Sequence, residues 1–263
     1  MNAKEYIKQL QTYEEYAFSW SEIINHADKS PFTLKKELAN LIAKKEIINL
    51  RKGFYVIIPP KYAIRNYLPI QLYINKLFSF LNKPYYIGLY SAAKFYGAAH
   101  QQIQADYIIT KPPALANIKK ENFNIKFFTT THWPSKNIRK LKSDAGMFNI
   151  SSPALTIADM IHYQTKLGGI NRVFTIIEEL VHELKPDDIR DLLSWYPYLS
   201  TLQRLGFLLE KLNMGYDLLK PLKNHLSRKN YYFVPLNPGK ELKPGKAKNF
   251  WKVNENVKPE SDL

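Results

Sequence analysis

The sequence predicts an α+β protein: an N-terminal winged helix-turn-helix, then a mixed α/β domain with a helical C-terminal part. Three observations predict it. Residues 19–57 carry two helical patterns, followed by two short apolar runs around Arg51-Lys52-Gly53. Residues 105–150 change to short runs rich in β-branched and aromatic side chains, the mark of strands. From Ser152 onward, apolar residues recur at helical spacing between glycine and proline breaks.

A first helix over about residues 2–11 precedes the hairpin of helices and is expected to pack beneath it. Ser19 or Ser21 can cap the next helix, because a serine hydroxyl accepts an orphan backbone N–H. Trp20, Ile23 and Ile24 give that helix its apolar side, and His26-Ala27-Asp28-Lys29 is the turn. Ser30-Pro31 then reads as a cap followed by proline at the first helical position. Leu34, Leu38, Leu41 and Ile42 repeat at helical spacing and face inward. Thr33, Lys36, Glu37, Asn40 and Lys44 are left on the opposite face, with Lys35 at its edge. Glu46–Leu50 and Phe54–Ile58 are expected as two strands, with Gly53 supplying the positive φ of a tight turn. Pro59-Pro60 closes this element, since consecutive prolines cannot extend a ladder. The expected domains are therefore 1–60 and 61–263.

In the second domain Ile64–Leu81 reads as helical, with Pro69 near a helix start, and GLYSAAKFYG as a short helix capped by Gly97. Residues 105–110, 124–130, 138–141 and 146–150 are expected strands, with loop over 111–122. Ser152-Pro153 repeats the cap-plus-proline signal. Gly168-Gly169 breaks the chain before an apolar helix over 170–183. Pro186-Asp187-Asp188 starts another, with the acids near the positive helix end. Helices over 199–212 and 216–228 follow. Two tail strands, 231–236 and 249–253, flank a Lys-, Gly- and Pro-rich spacer.

The chain holds 263 residues, 45% of them hydrophobic, which is ample for a packed core. No apolar stretch of about twenty residues predicts a membrane span. The opening MNAKEYIKQLQTYEEY lacks the apolar core of a signal peptide. With no cysteine, disulfides, thiolate metal sites and cysteine nucleophiles are excluded together. A cytoplasmic location is the expectation.

The net charge of +15 favours a polyanion or an acidic protein partner. Residues 1–60 hold 9 basic and 7 acidic side chains, a net of only +2, whereas residues 61–150 hold 13 and 3, a net of +10. A basic middle can grip phosphates beside the bases being read, or dock an acidic protein.

Asp159-x-x-His162 and Glu179-x-x-His182 each place an acid and a histidine on one helix face, as in di-iron bundles. Such sites need two further convergent carboxylates, which the pattern does not supply, and the six histidines form no cluster at ligand spacing. No cofactor or metal is expected. A nuclease with an Asp on one strand and Glu-x-Lys on the next also fails: Asp106 is followed by Asn124-Ile125-Lys126, with no metal-binding acid. No Gly-rich phosphate loop or G-x-S-x-G elbow is present, and the sequence pattern around Ser91 predicts no catalytic base for it. No enzymatic activity is expected.

The motifs FTLKKELANLIAKKEIINLRKGFYVIIPPKY, YYIGLYSAAKFYGAA, ADYIIT, ISSPALTIADMI, RLGFLLEKL and YYFVPLNP…FWKVNEN, in that order, resemble AbiEi-type antitoxins over nearly the whole chain. These are the transcriptional-regulator half of bacterial type IV toxin–antitoxin pairs. Two departures stand out: Phe-Tyr precedes Gly97, and the tail hydrophobics are thinned to Trp251, Val253 and Val257. The resemblance implies an N-terminal winged helix that binds double-stranded operator DNA and represses its own operon. It implies a C-terminal part that counteracts a cognate nucleotidyltransferase-like toxin. Carried onto this sequence, the DNA-contacting candidates are Ser30, Thr33, Lys35, Lys36 and Asn40 in the second helix of the hairpin, and Arg51 and Lys52 in the wing. Asn40 can read adenine through two hydrogen bonds, and Lys36 guanine or a phosphate. Arg51 and Lys52 suit phosphate or the minor groove. The resemblance names no toxin-neutralising residues. The competing reading is a stand-alone winged-helix regulator whose C-terminal domain senses a small ligand.

Overall fold

The computed structural model describes residues 1–98, 105–242 and 247–260. Among these residues no helix is long and apolar enough to cross a membrane. The chain divides into two compact units. The first comprises Met1–Tyr86, Gln104–Thr129 and Lys140–Asn149; the second comprises Ile87–Ile103, Thr130–Arg139 and Ile150–Leu263.

The first unit opens with helix α1 (Ala3–Thr12), strand β1 (Ala17–Ser19), helices α2 (Trp20–His26) and α3 (Pro31–Ala43), and strands β2 (Ile47–Arg51) and β3 (Phe54–Ile57). Each helix starts where the side chains dictate. Asn2 and Glu5 form a reciprocal capping box on α1, Ser19 and Glu22 another on α2, and the Ser30 hydroxyl accepts from the Thr33 N–H at α3. Leu34, Leu38 and Leu41 of α3 are buried against Ala3, Tyr6, Ile7, Phe18, Ile23, Ile47 and Ile57. Ile42, expected with them, is only partly buried at the margin. The strands form an antiparallel sheet in the order β1-β3-β2. β1 was not expected. It has three residues, all buried, and so shows no alternation to read. A register shift between Asn49 and Arg51 marks a bulge just before the turn.

A short α4 (Pro60–Ala63) forms just before the expected helix, and of Ile64–Leu81 itself only a single 3₁₀ turn over Ile70–Leu72 and α5 (Ile74–Phe80) are helical. Pro69 has no N–H to donate and biases Leu68 out of the helical region, which accounts for the interruption. A six-stranded sheet has the order β6-β7-β5-β4-β9-β8, from β4 (Tyr85–Ile87), β5 (Asp106–Thr110), β6 (Ile118–Lys120), β7 (Phe123–Thr129), β8 (Ile138–Ser143) and β9 (Gly146–Ser151). The boundary between the units falls within β4, β8 and β9. β5 pairs parallel with β7, and β6 antiparallel with β7. β6 lies where loop was expected. Its single inward residue, Ile118, is followed by two exposed lysines, too little apolar pattern to announce a strand. β4, three residues all buried, is likewise not among the expected strands.

The second unit is mainly helical: α6 (Leu89–Phe95), α7 (Pro153–His162), α8 (Ile170–Leu180), α9 (Pro186–Leu193), α10 (Leu199–Lys211) and α11 (Tyr216–Ser227). α7 is buried almost all round. Its N-terminus is held from another helix: the Asp188 carboxylate accepts the Ala154 N–H at 2.9 Å and the Asn137 amide at 2.8 Å. Asp188, read as complementing the start of its own helix α9, therefore also neutralises the positive end of α7. Gly168 and Gly169 both have φ near +95°, as a chain break before α8 requires. The tail strands shrink to β10 (Val234–Pro235) and β11 (Val253–Asn254), paired in parallel. The spacer read between them falls partly on 243–246, outside the described residues. Trp251 is fully buried, and its indole N–H donates to Glu210 at 2.8 Å.

Candidate nucleic-acid interface

The exposed positions of α3 are Pro31, Phe32, Thr33, Lys35, Lys36, Ala39, Asn40 and Ala43, so none of them is acidic. That composition follows from where the neighbouring acids are spent. Glu5 and Glu22 close capping boxes, and Glu37, expected on the outer face, instead accepts the Ala3 N–H at 2.8 Å. The low net charge of residues 1–60 thus understates the positive character of this one face.

Ser30 and Thr33 sit at its N-terminal end. Their hydroxyls are 2.9 Å apart, and Ser30 is engaged as the α3 cap. Lys36 and Asn40 are exposed one turn apart. Lys35 leans back so that its ammonium lies 5.8 Å from the centroid of the Trp20 ring. The turn between β2 and β3 presents an exposed Lys52, while Arg51 is half-buried and its Nη1 is enclosed without a hydrogen-bond partner. To meet a phosphate, the Arg51 guanidinium would have to swing outward; Lys52 would not. Gly53 has φ +78°, and its carbonyl oxygen accepts the Trp20 N–H at 2.8 Å. Trp20 therefore joins the turn and α3, through its backbone on one side and its ring on the other. The seven sequence-derived candidates lie on these two adjoining elements.

Two features were not read from the sequence. Phe32 is 80% exposed on α3, a signal that only exposure reveals, because its spacing from Leu34 does not mark it as outward. The other is β6: the Lys120 ammonium donates to the Asn49 carbonyl of β2 at 2.5 Å. Lys119, beside it, is exposed. Part of the basic middle of the chain is thereby fixed to the strand that leads into Arg51.

Lys76 of α5 pairs with Glu22 of α2 at 2.6 Å and with Glu15 at 3.4 Å. Burial alone would raise the Glu22 carboxyl, but hydrogen bonds from Lys76 and Ser19 outweigh it and hold the group below its ordinary value.

Elsewhere, His162 and Asp106, two of the residues weighed for metal or nuclease chemistry, have other partners. Among the described residues no group of three or more His, Asp or Glu side chains gathers as a metal-ligand set; His100 lies outside them. His162 stacks on Tyr198 with centroids 4.2 Å apart, and burial followed by the charges of Arg204 and Lys166 lowers its pKa. Asp106 and the Asn124–Lys126 stretch do lie on paired strands, Asp106 opposite Ile125. The Asp106 carboxylate accepts the Tyr67 hydroxyl at 3.0 Å.

Comparison with known proteins bears on the rest of the chain. Residues 86–211 match the family model of the AbiEi antitoxin C-terminal domain. The resemblance to AbiEi-type antitoxins read from the sequence is borne out over that segment, which runs from β4 to the end of α10 and includes YIGLYSAAKFYG, ADYIIT, ISSPALTIADMI and RLGFLLEKL. The match supports an antitoxin role in a toxin–antitoxin pair. Residues 1–85 and 212–263 lie outside the AbiEi segment.

In fold the chain is similar to the crystal structure of the RV2827C protein from Mycobacterium tuberculosis, with a TM-score of 0.65 at 13% identity over 95% of this chain and 90% of that one. A weaker likeness, TM-score 0.27 at 10% identity, covers 59% of this chain and 85% of an antigenic nucleotidyltransferase-like protein from Paracoccidioides brasiliensis, and carries no argument. No curated protein matches the chain.

Proposed function

We propose that the protein is a DNA-binding antitoxin that represses its own toxin–antitoxin operon and counteracts a nucleotidyltransferase-like toxin. In this reading residues 1–60 are a winged helix-turn-helix, with α3 as the recognition helix and the Arg51-Lys52-Gly53 turn as the wing. Residues 61–263 supply the antitoxin function. That division is one of labour; the compact units cut the chain elsewhere. The protein acts in the cytoplasm, where its operator and its toxin are.

The observation that carries the DNA reading is the acid-free outer face of α3, tied to the wing through Trp20 and Gly53. A recognition helix lies in the major groove with its N-terminal residues at the base edges. Ser30, Thr33, Lys35, Lys36 and Asn40 line that approach, and Arg51 and Lys52 reach the flanking backbone. The antitoxin reading rests on the AbiEi segment.

The test has two arms. Lys36→Glu combined with Arg51→Glu removes binding to the chain's own promoter in a mobility-shift assay; unchanged binding would refute the assigned face. Co-expression with the neighbouring toxin gene restores growth, and the double variant still restores it if neutralisation is separate from DNA binding. Failure of the wild-type chain to rescue, together with release from DNA by a small metabolite, would favour the ligand-sensing regulator instead.

A further inference from the structure

A phenylalanine left 80% in solvent forfeits most of its burial free energy, and Phe32 is so placed on a helix whose Leu34, Leu38 and Leu41 are inside. It is the second helical residue of α3, after Ser30 as cap and Pro31. Proline at the first position and the Ser30–Thr33 hydrogen bonds fix the backbone that carries it. Its neighbours on the exposed face are Thr33, Lys35 and Lys36, which suit DNA better than a protein core. The major-groove feature that an apolar side chain recognises is the C5-methyl group of thymine.

We infer that Phe32 is a specificity-determining residue that packs against a thymine methyl in the major groove, so that the operator half-site contains a T·A pair opposite the N-terminus of α3. The inference rests on the DNA-reading proposal. It adds an apolar reader to a set of candidates that were all polar or charged, and it specifies a base those candidates do not.

The test is selection of duplexes from a random library by the full chain, wild type and Phe32→Ala, with affinities then measured on the selected site. The wild type selects a site with a fixed thymine, and replacing that thymine by deoxyuridine weakens binding about fourfold, the worth of one buried methyl group. Phe32→Ala loses the preference for thymine at that position alone and no longer distinguishes thymine from deoxyuridine, while Phe32→Leu retains most of the discrimination. If the wild type selects a site and Phe32→Ala selects the same one with equal affinity, the inference is overturned and the DNA reading stands. If Phe32→Ala instead changes only the oligomeric state, Phe32 is a protein contact and the inference is likewise overturned. If the wild type selects no sequence, both fail.

Discussion

The backbone N–H of Trp20 donates to the carbonyl oxygen of Gly53 at 2.8 Å. This bond ties the first residue of α2 to the turn between β2 and β3, while the Trp20 ring lies under the Lys35 ammonium of α3. On the proposed DNA-binding reading, the helix and hairpin that meet DNA together are thus held by one residue that need not touch DNA itself. Rigid support of this kind keeps contact groups within reach of their targets without an ordering cost on binding.

Gly53 is the weak point of that arrangement. Its φ of +78° is strained for any residue with a Cβ, although an added Cβ would meet only ordinary contacts, Phe80 at 3.8 Å and Trp20 at 3.9 Å. Gly53→Ala is expected to destabilise the first unit by about 1–2 kcal/mol through the backbone alone. Gly53→Asn should cost less, because asparagine tolerates the left-handed region. Chemical denaturation of the two variants checks this; a larger loss for Gly53→Asn than for Gly53→Ala would mean that side-chain volume, not φ, sets the penalty.

The Lys76–Glu22 ion pair makes a pH prediction. The folded Glu22 carboxyl is held below its ordinary value of 4.5 by Lys76 and Ser19 against the effect of burial. A depressed folded value contributes stability that is complete above the unfolded value and fades as pH falls through the folded one. Glu22→Gln should therefore lower the melting temperature at neutral pH, with the gap from wild type closing below about pH 4.5. Melting curves from pH 7 to pH 3 decide it. A gap independent of pH would assign the loss to the capping geometry rather than to the charge.

In the second unit, α10 carries a glycine in mid-helix. A Cβ on Gly206 would fall 2.0 Å from Cζ3 of Trp251, whose ring is fully buried against the helix. The glycine costs about 1 kcal/mol of helix propensity and makes room for a large aromatic. Gly206→Ala should displace Trp251 and cost roughly 3 kcal/mol, within the range for losing a buried tryptophan. Because both act through one contact, Gly206→Ala in a Trp251→Ala background should cost little or even stabilise. Additive losses in urea titrations would disprove the contact as the cause.

Much of this was legible in the sequence, for physical reasons that differ by element. Ser30-Pro31 and Ser152-Pro153 announce α3 and α7 because a cap and a fixed φ are local properties. Gly53, Gly97 and Gly168-Gly169 announce turns for the same reason. β1, β4 and β6 were missed because three residues carry no period. The diversion of Glu37 to Ala3 and the exposure of Phe32 depend on where α1 packs and how α3 is rotated, which no local pattern encodes. The part of Asp188 at α7 and the seat of Trp251 on Gly206 are contacts distant in sequence, and they appear only once the helices are assembled.

The position of β6 leads to a prediction about salt. Lys120 is committed to the Asn49 carbonyl, so on the proposed DNA-binding reading the exposed Lys119 is the lysine of that strand placed to extend phosphate contacts beyond the turn between β2 and β3. Each phosphate contact releases condensed counterion, so loss of one lysine should reduce the slope of log affinity against log salt by about 0.9. Lys36→Ala and Lys119→Ala should each do so, uniformly across sequences. Asn40→Ala should leave the slope unchanged and relax discrimination at one base pair, because an amide carries no charge and reads an adenine edge. Binding titrations between 50 and 200 mM salt, a span over which such slopes are large, separate the two behaviours. A slope unaltered by Lys119→Ala would confine the proposed DNA interface to α3 and the turn between β2 and β3 and exclude β6 from it.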